Sequence, residues 1–319
     1  LAWSSAASDV YKRQAIMNNK PPKKNPFKRL ADSFKRVYDA PDKGVLCGWE
    51  VSAYVWTKAI ATGTFLVLFL GGALGLSNPT LDTIWFGLAT SLVFLAITGA
   101  LLVKDLDQPK RFLYVVLRPH WRSWLVRGGY SITIYGALLT LSCVALWQQW
   151  WQTLEIVMWA GVAFAVLTSI YTAFLFAQAK GRDFWQSPIL SLHMLGHSLL
   201  AGAAVLAFFT LFEKSSERWD FYLQMIIYGG VGFNLLVLFL EMATTHTTAD
   251  SKRAAEMITS GKYSGLFWVG VILLGNIIPV AIAYFGGQSL LTVTAIFILF
   301  GIYLTEHIWV RAPQEIPLS

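Results

Sequence analysis

Eight long apolar runs make up most of the chain after residue 52, and short polar connections separate them. Each run can cross the roughly 30 Å hydrocarbon core of a bilayer as an α-helix. The strands of a membrane barrel would be shorter and would alternate apolar with polar residues, which these runs do not do. The pattern therefore predicts an all-α integral membrane protein with eight transmembrane helices. The predicted spans are Ala53–Leu76, Leu81–Val103, Gly129–Trp147, Leu154–Gln178, Ser187–Phe212, Phe221–Met242, Tyr263–Phe285 and Ser289–Val310.

The composition agrees with lipid as the main solvent of the chain. Only 13% of the 319 residues are charged, whereas a soluble domain carries about 25%. The net charge of +7 lies in the connections between apolar runs and not on a soluble module, so nucleic acid is not an expected partner.

The same pattern divides the chain into segments. A transmembrane domain is predicted at 53–310, with a basic amino-terminal arm at 17–52 and a tail at 311–319. Residues 1–16 show no clear periodicity, and a basic start follows Met17. We expect 1–16 to be a non-native or read-through segment.

The cationic residues indicate how the helices are oriented. Residues 1–52, the connections after helices 2, 4 and 6 and the carboxyl-terminal end hold 22 of the 25 Lys and Arg residues. Short connections rich in Lys and Arg stay in the cytoplasm. The alternation predicts a multi-pass membrane protein with both termini in the cytoplasm.

The connections after helices 2 and 6 are both long and charged, and each follows a pair of spans. This similarity favours two four-helix bundles. The connection Lys104–Arg127 carries six cationic residues, two acidic residues, four aromatic residues and a histidine. Since a connection that only joined two helices could be much shorter, this segment is predicted to lie at the membrane surface, cover a site and meet a partner.

Three polar residues near the start of the first span share one helix face. Glu50, Tyr54 and Lys58 are spaced four residues apart, and an ionisable group inside a span costs about 2.5–3.5 kcal/mol. One interpretation is an interfacial anchor, in which the Lys58 amine extends to the lipid headgroups. The alternative is a polar lining for a bound headgroup, or a proton path.

Acidic residues lie near the ends of two later spans, Glu241 in helix 6 and Glu306 in helix 8. One interpretation is that these carboxylates pair at the helix ends with Lys252, Arg253 or Arg311. The alternative is that they belong to a proton relay.

Other polar residues lie deeper in the spans. His193 and His197 are four residues apart on helix 5 and could ligate haem or a metal, but a transmembrane b-type haem usually needs histidines from two helices. We therefore expect these histidines to be hydrogen-bonded or to line a pocket, with no metal. Asn234 and Asn276 are expected to form hydrogen bonds between helices.

The two cysteines, Cys47 and Cys143, form no CxxC, CxxCH or Cys/His cluster. Iron–sulfur clusters and c-type haem are attached through such motifs. We expect neither an iron–sulfur cluster nor haem in this chain.

Several short stretches, taken in order, resemble the NrfD/PsrC family of polysulfide reductase membrane subunits. The family's D-L-G-R-P-x-R-F after helix 2 appears at 105–112 as D-L-D-Q-P-K-R-F, and its Tyr-Thr-Gly in helix 4 resembles 171–173, Y-T-A. Further similar positions are Arg122, Ser123, Trp124, Trp185, Pro188, Glu241, His246, Gly261, Phe267, Trp268, Gly275, Pro279 and the ending 312–319. The chain departs from the family pattern at Asp107, Gln108, Ala173 and Pro313.

The resemblance implies a membrane anchor subunit of a multi-subunit oxidoreductase in the bacterial inner membrane. Such a subunit exchanges electrons and protons between the quinone pool (menaquinone or ubiquinone) and an iron–sulfur partner subunit with [4Fe–4S] clusters. That partner usually passes electrons to or from a molybdopterin catalytic subunit. The alternatives are a secondary transporter, which the lack of a counterpart to Pro279 in helix 3 disfavours, and a structural anchor without a quinone site.

The resemblance also implies where the quinone binds: in the first four-helix half, close to the face that bears the connection after helix 2. The expected quinone-binding residues are Tyr54, Asp105, Trp124 and Tyr171. The expected proton carriers are Lys58, Asp105 and Glu241. The expected partner-docking residues are Arg111, Arg118 and Arg122. In better-known relatives this face lies in the periplasm, whereas the cationic count places it in the cytoplasm, and we follow the count.

Overall fold

A computed structural model describes residues 47–105, 117, 119–179, 181–213, 216–243, 248–286 and 290–316. Within these ranges the regular structure is helical, and eight helices are long and apolar enough to cross a membrane. The protein is an all-α integral membrane protein, as the apolar pattern predicts. Several residues singled out above lie outside the described ranges: the arm up to residue 46, Asp107, Gln108, Arg111, Arg118, His246 and residues 317–319.

The first six spans are single α-helices. They are α1 Trp49–Ala73, α2 Leu81–Lys104, α3 Trp124–Trp147, α4 Trp151–Ala177, α5 Ile189–Phe209 and α6 Glu217–Ala243. A short helix, α7, follows at Ala249–Thr259. The seventh span consists of a π-helical segment, Leu266–Ile277, continued by α8, Ile278–Gly286. The last span is α9, Leu291–Arg311, and short 3₁₀ turns lie at Asp183–Gln186 and Ala312–Glu315.

The observed bounds differ from the predicted ones at several ends. The first span begins at Trp49 and not at Ala53, so the end of the predicted arm is helical. The connection after span 6 contains α7, which the sequence analysis treated as a loop. The Thr248 side chain accepts a hydrogen bond from the backbone N–H of Ser251 and so caps α7.

The spans form two four-helix bundles that meet along α1 and α5. Helices α1 to α4 pack in a ring, while α5, α6, the seventh span and α9 form the second group. In their most apolar stretches, α1 and α5 have 83% and 72% of their residues buried, against 33% in α2, α3 and α6. Helices α1 and α5 are therefore the interior of the protein, and α2, α3 and α6 face lipid.

Two glycines allow α1 and α5 to touch through their backbones. A Cβ atom at Gly63 would lie 1.6 Å from the Ser198 carbonyl oxygen, and one at Gly202 would lie 2.0 Å from the Gly63 carbonyl carbon. Any larger side chain at either position must push the helices apart. Small residues at such crossings are typical of helix packing in lipid.

Side-chain hydrogen bonds to carbonyl groups attach outer helices to α1. The Tyr135 hydroxyl on α3 donates to the Ala61 carbonyl at 3.0 Å, and the Trp56 indole N–H on α1 donates to the Leu299 carbonyl of α9 at 2.9 Å. In hydrocarbon such donors need a partner inside the protein. These bonds fix α1 relative to both bundles.

The wide π-helical turn of the seventh span is stabilised locally. The Asn276 side-chain amide donates to the Val271 carbonyl, five residues earlier, at 2.8 Å. Gly275 on this turn faces Gly301 of α9, where a Cβ atom on either residue would lie within 2.6 Å of the other's Cα. The seventh span and α9 therefore pack backbone to backbone.

Candidate functional site

Most of the buried ionisable residues of the spans lie toward one face of the protein, where α1, α3, α5 and the seventh span begin and α2, α4, α6 and α9 end. At a rise of about 1.5 Å per residue, Tyr54 lies about 8 Å and Lys58 about 14 Å from the start of α1. Tyr171 lies about 9 Å from the end of α4. These side chains therefore share one half of the membrane.

Lys58 lies in the protein interior, with only 1% of its surface exposed. Its Nζ atom donates to the Ser169 carbonyl at 2.8 Å and to the Thr172 hydroxyl at 2.6 Å, both on α4. It also lies 4.0 Å from the Met194 sulfur on α5. The interpretation that Lys58 extends to the lipid headgroups is wrong, because α4 and α5 supply closer partners.

Tyr54 and Tyr171 place two phenol hydroxyls beside this amine. Both residues are buried, and neither hydroxyl has a hydrogen bond of normal geometry within the described ranges. The Thr172 hydroxyl accepts from Lys58 and retains its own O–H, whose contact with the Tyr171 oxygen falls short of normal hydrogen-bond geometry. The Lys58 amine lies 5.0 Å from the centre of the Tyr171 ring. An unsatisfied buried hydroxyl costs about 1–3 kcal/mol, so two of them together indicate a site for a ligand.

Gly128 on α3 makes room for the Tyr171 ring. A Cβ atom at this glycine would lie 2.3 Å from two ring carbons. One helical turn earlier, Trp124 stacks on Phe174 with 4.5 Å between ring centres, and the Arg127 guanidinium lies 4.7 Å from the Trp124 ring centre. The start of α3 therefore lies against the same part of α4 that carries Tyr171.

Asp105 ends α2 at the face of the bundle and is half-buried. Its charge acts on Tyr54 and on Cys47. Burial raises the pKa of the Cys47 thiol well above its usual range, Asp105 raises it further, and Arg182 opposes them. The charge of Asp105, at the end of α2, therefore acts on the buried Tyr54 hydroxyl.

A second polar cluster lies in the second bundle. His193 Nδ1 is 2.8 Å from Glu241 Oε2, and the Trp309 indole N–H donates to the same oxygen at 3.0 Å. His197 Nδ1 is 2.7 Å from Glu306 Oε1. All four ionisable residues are buried.

The pairing expected for these glutamates at helix ends is wrong. Lys252 is 3.7 Å from Glu256 and Arg253 is 3.2 Å from Asp250, all near the surface. Glu241 and Glu306 point into the bundle instead. The expected hydrogen bond between spans is confirmed for Asn234, whose amide donates to Asn276 Oδ1 at 2.9 Å.

The two clusters adjoin at the border between the bundles. Lys58 contacts Met194, the residue next to His193, and the charges of Lys58 and Glu306 interact. The sequence analysis missed Thr172, Met194 and Trp309 as participants. Their types carry no signal for such a role, since threonine, methionine and tryptophan are ordinary residues of a membrane helix.

The face that carries these clusters also carries exposed charge. Arg122 is exposed directly before α3. Glu50 pairs with Lys104 at 3.5 Å, so this acid belongs to the surface and not to the Lys58 cluster. Arg111 and Arg118, the other expected docking residues, lie outside the described ranges.

The sequence profile of the family described as "Polysulphide reductase, NrfD" matches residues 42–314. The chain belongs to the NrfD family. Membership indicates a membrane subunit of the quinone-interacting oxidoreductases, and the match spans both polar clusters of this NrfD chain. A search of curated proteins gave no match.

Proposed function

We propose that this NrfD-family chain is the quinone-reactive anchor of a multi-subunit oxidoreductase in the bacterial inner membrane. Its partner is an iron–sulfur subunit with [4Fe–4S] clusters, which passes electrons to or from a molybdopterin catalytic subunit. The observation that carries the proposal is the pair of buried, unpartnered hydroxyls of Tyr54 and Tyr171 beside the Lys58 amine. Family membership supports the same conclusion.

The side chains in this cluster suit a quinone headgroup. A quinone presents two carbonyl oxygens, and the phenol hydroxyls and the ammonium group are hydrogen-bond donors. The apolar ring and tail fit an interior that is otherwise lined by aromatic and aliphatic residues. Trp124 lies one helical turn before Gly128 on α3 and is placed to cover the quinone ring.

The redox step requires an exit for electrons and an exit for protons. Oxidation of a quinol to the quinone releases two electrons and two protons, and reduction takes up the same number. The electrons pass to or from the clusters of the partner at the face that bears Arg122. Asp105 stands between Tyr54 and that face and is the proposed proton carrier, with Lys58 holding or releasing a proton at Nζ. Glu241 as a proton carrier remains a prediction of the sequence analysis.

Tyr54 and Tyr171 are enclosed by protein in this structure. A headgroup therefore reaches them only when covering side chains move, which makes the site a gated one. Binding is expected to order the region around Trp124, and tryptophan fluorescence would report that change.

The experiment that tests the proposal is binding of a fluorescent quinone analogue to the full chain in lipid nanodiscs. Wild-type protein should bind it saturably, and Lys58→Met should weaken binding by roughly tenfold or more, since one donor to a carbonyl is lost. Tyr135→Phe, which removes a buried hydroxyl that already has a protein acceptor in the Ala61 carbonyl, is the matched control and should bind normally. Binding that is absent in wild type, or unchanged in Lys58→Met, would contradict a quinone site here.

A further inference from the structure

The second cluster has the ligand chemistry of a metal site. One potential ligand atom from each of His193, His197 and Glu306 lies within 4.8 Å of the other two. All three residues are at most 2% exposed. Two of them lie on α5 and the third on α9, so the group joins two spans of the second bundle.

A second, independent observation concerns the Nε2 atom of His193. Its Nδ1 is engaged by Glu241, and its Nε2 is buried without a hydrogen-bond partner in the described part of the chain. If His193 were doubly protonated, this nitrogen would be a buried donor without an acceptor; if neutral, it would be a buried lone pair without a donor. Either state is unfavourable by about 1–3 kcal/mol, whereas a metal ion would use the lone pair directly.

Both histidines also have the partners that metal-bound histidines need on their far side. A ligating histidine almost always donates its other ring N–H to a carboxylate, a carbonyl or water, which fixes the ring and its tautomer. Glu241 accepts from His193 Nδ1 at 2.8 Å, and Asn234 Oδ1 lies 3.0 Å from His197 Nε2. Asn276 accepts from the Asn234 amide and so fixes which way that side chain points.

We propose that His193 Nε2, His197 Nδ1 and a carboxylate oxygen of Glu306 bind a divalent transition-metal cation, best matched by Zn²⁺, which joins α5 to α9. Two imidazole nitrogens and one carboxylate oxygen, with water as the fourth ligand, form a known type of zinc site with bonds of about 2.0–2.2 Å. In the metal-free chain a proton holds His197 Nδ1 and Glu306 Oε1 at 2.7 Å. The metal replaces that proton, and the two ligand atoms separate slightly.

Charge also favours a dication at this position. Glu241 and Glu306 bring two carboxylates into the bundle interior, and a buried carboxylate must be paired or bound to a metal. A dication next to two neutral imidazoles neutralises both. The proposal gives Glu241 an orienting role, in place of the proton-carrying role predicted from the sequence, and it revises the expectation that the histidines hold no metal.

The test is a metal titration of the full chain, purified in detergent with a tag that contains no histidine and stripped with a chelator. Wild-type protein should take up one equivalent of Zn²⁺, measured by elemental analysis, and one equivalent of Co²⁺ should give the visible absorption of a nitrogen- and oxygen-ligated ion. His193→Ala should lose both signals. Glu241→Gln should weaken binding by roughly 10–100-fold, the usual effect of losing the partner of a ligating histidine.

Two histidine variants serve as controls. His307→Ala removes the neighbour of Glu306 on α9, and His120→Ala removes an exposed histidine; both should bind metal as wild type does. A buried substitution can prevent folding, so a second measurement uses wild-type protein alone. Its unfolding temperature should rise when Zn²⁺ is added and should return to the metal-free value when a chelator is added as well. Wild type without bound metal or cobalt absorption, or His193→Ala with full binding, would overturn the proposal. Neither result bears on the quinone site, which lies in the other bundle.

Discussion

At the scale of single residues, Tyr171 offers the sharpest test of the quinone site. Its hydroxyl makes no hydrogen bond of normal geometry in the described structure, so Tyr171→Phe should leave the unfolding temperature unchanged or slightly higher. If the hydroxyl donates to a quinone carbonyl, the same variant should raise the apparent KM for quinone roughly tenfold. Quinone-dependent turnover of the purified complex measures this effect.

Tyr135 is the matched control for that prediction. Its hydroxyl donates to the Ala61 carbonyl at 3.0 Å, so Tyr135→Phe should lower stability by about 1 kcal/mol and leave the KM unchanged. The two tyrosines should therefore give opposite results in the two assays. A KM that is unaffected in Tyr171→Phe would remove Tyr171 from the site.

The sequence identified most of the ionisable residues that matter, because a charge in an apolar run is conspicuous. It did not identify their partners. Glu241 seemed able to pair with Lys252 or Arg253, which are close in sequence, but it bonds to His193, 48 positions away. Those lysine and arginine side chains gain more from water at the surface, whereas the imidazole lies at the depth of the carboxylate. Depth in the bundle is a tertiary property that residue spacing does not encode.

At the scale of helices, the crossing of α1 and α5 predicts an unusual sensitivity to a single methyl group. Gly63→Ala would bring its Cβ to 1.6 Å from the Ser198 carbonyl oxygen before relaxation. Because backbone and not a flexible side chain must move, the loss of stability should be about 3 kcal/mol or more. Thermal unfolding in detergent, followed by circular dichroism, measures it.

Gly99 on α2 is the control for this substitution. An added Cβ there meets nothing within 4 Å, so Gly99→Ala should be neutral or should stabilise the helix by about 0.5–1 kcal/mol. Equal unfolding temperatures for the two alanine variants would show that α1 and α5 do not cross at Gly63.

The helices themselves were largely predictable, with two exceptions that have physical reasons. Helix α7 is only 11 residues long and lies outside the apolar runs, although the capping residue Thr248 and the apolar positions of Ala254, Ala255 and Ile258 give it a readable signal. The π-helical turn at Leu266–Ile277 has no such signal. When a helix is apolar on every side, the sequence has no polar stripe from which to read the number of residues per turn. A π-helical segment therefore cannot be told from an α-helix.

At the scale of the whole molecule, the exposed charge of the connection before α3 predicts how the partner subunit docks. Arg122→Glu should weaken co-purification of the iron–sulfur partner, because a contact with an acidic surface becomes repulsive. Lys214→Glu makes the same change of charge between the fifth and sixth spans, which the Lys and Arg count assigns to the other side of the membrane, and should leave the partner bound. Full recovery of the partner with Arg122→Glu would place the docking surface elsewhere.

The distribution of cations predicts the orientation of the molecule. With both termini in the cytoplasm, green fluorescent protein fused to the carboxyl-terminal end should fluoresce, since it folds poorly after export through the general secretory route. A reporter inserted in the turn between α1 and α2, by contrast, should be accessible from the periplasm. A dark carboxyl-terminal fusion at normal expression would reverse the assignment and move the docking face to the periplasm.

The arrangement of the bundles was predictable only in part. The spacing of the long connections indicated two groups of four helices, but hydropathy did not distinguish α1 and α5 as the interior pair, because lipid and a protein interior select the same apolar residues. The small residues of α1 and α5, and not their hydropathy, indicate that these two helices pack closely together. Gly63 and Gly202 have meaning only as a pair, and the pairing becomes visible when the two helices are placed side by side.

The contact between Gly63 and Gly202 sets how one half of the molecule can influence the other. With two main chains in direct contact, any motion of one bundle against the other has to be accommodated at this crossing. The distance between the Lys58 amine and the Glu306 carboxylate, whose charges interact, is set by how α1, α5 and α9 pack around it. A change of charge at Glu306 in the second bundle would therefore alter the electrostatic potential at Lys58 in the first bundle, even if no helix moved.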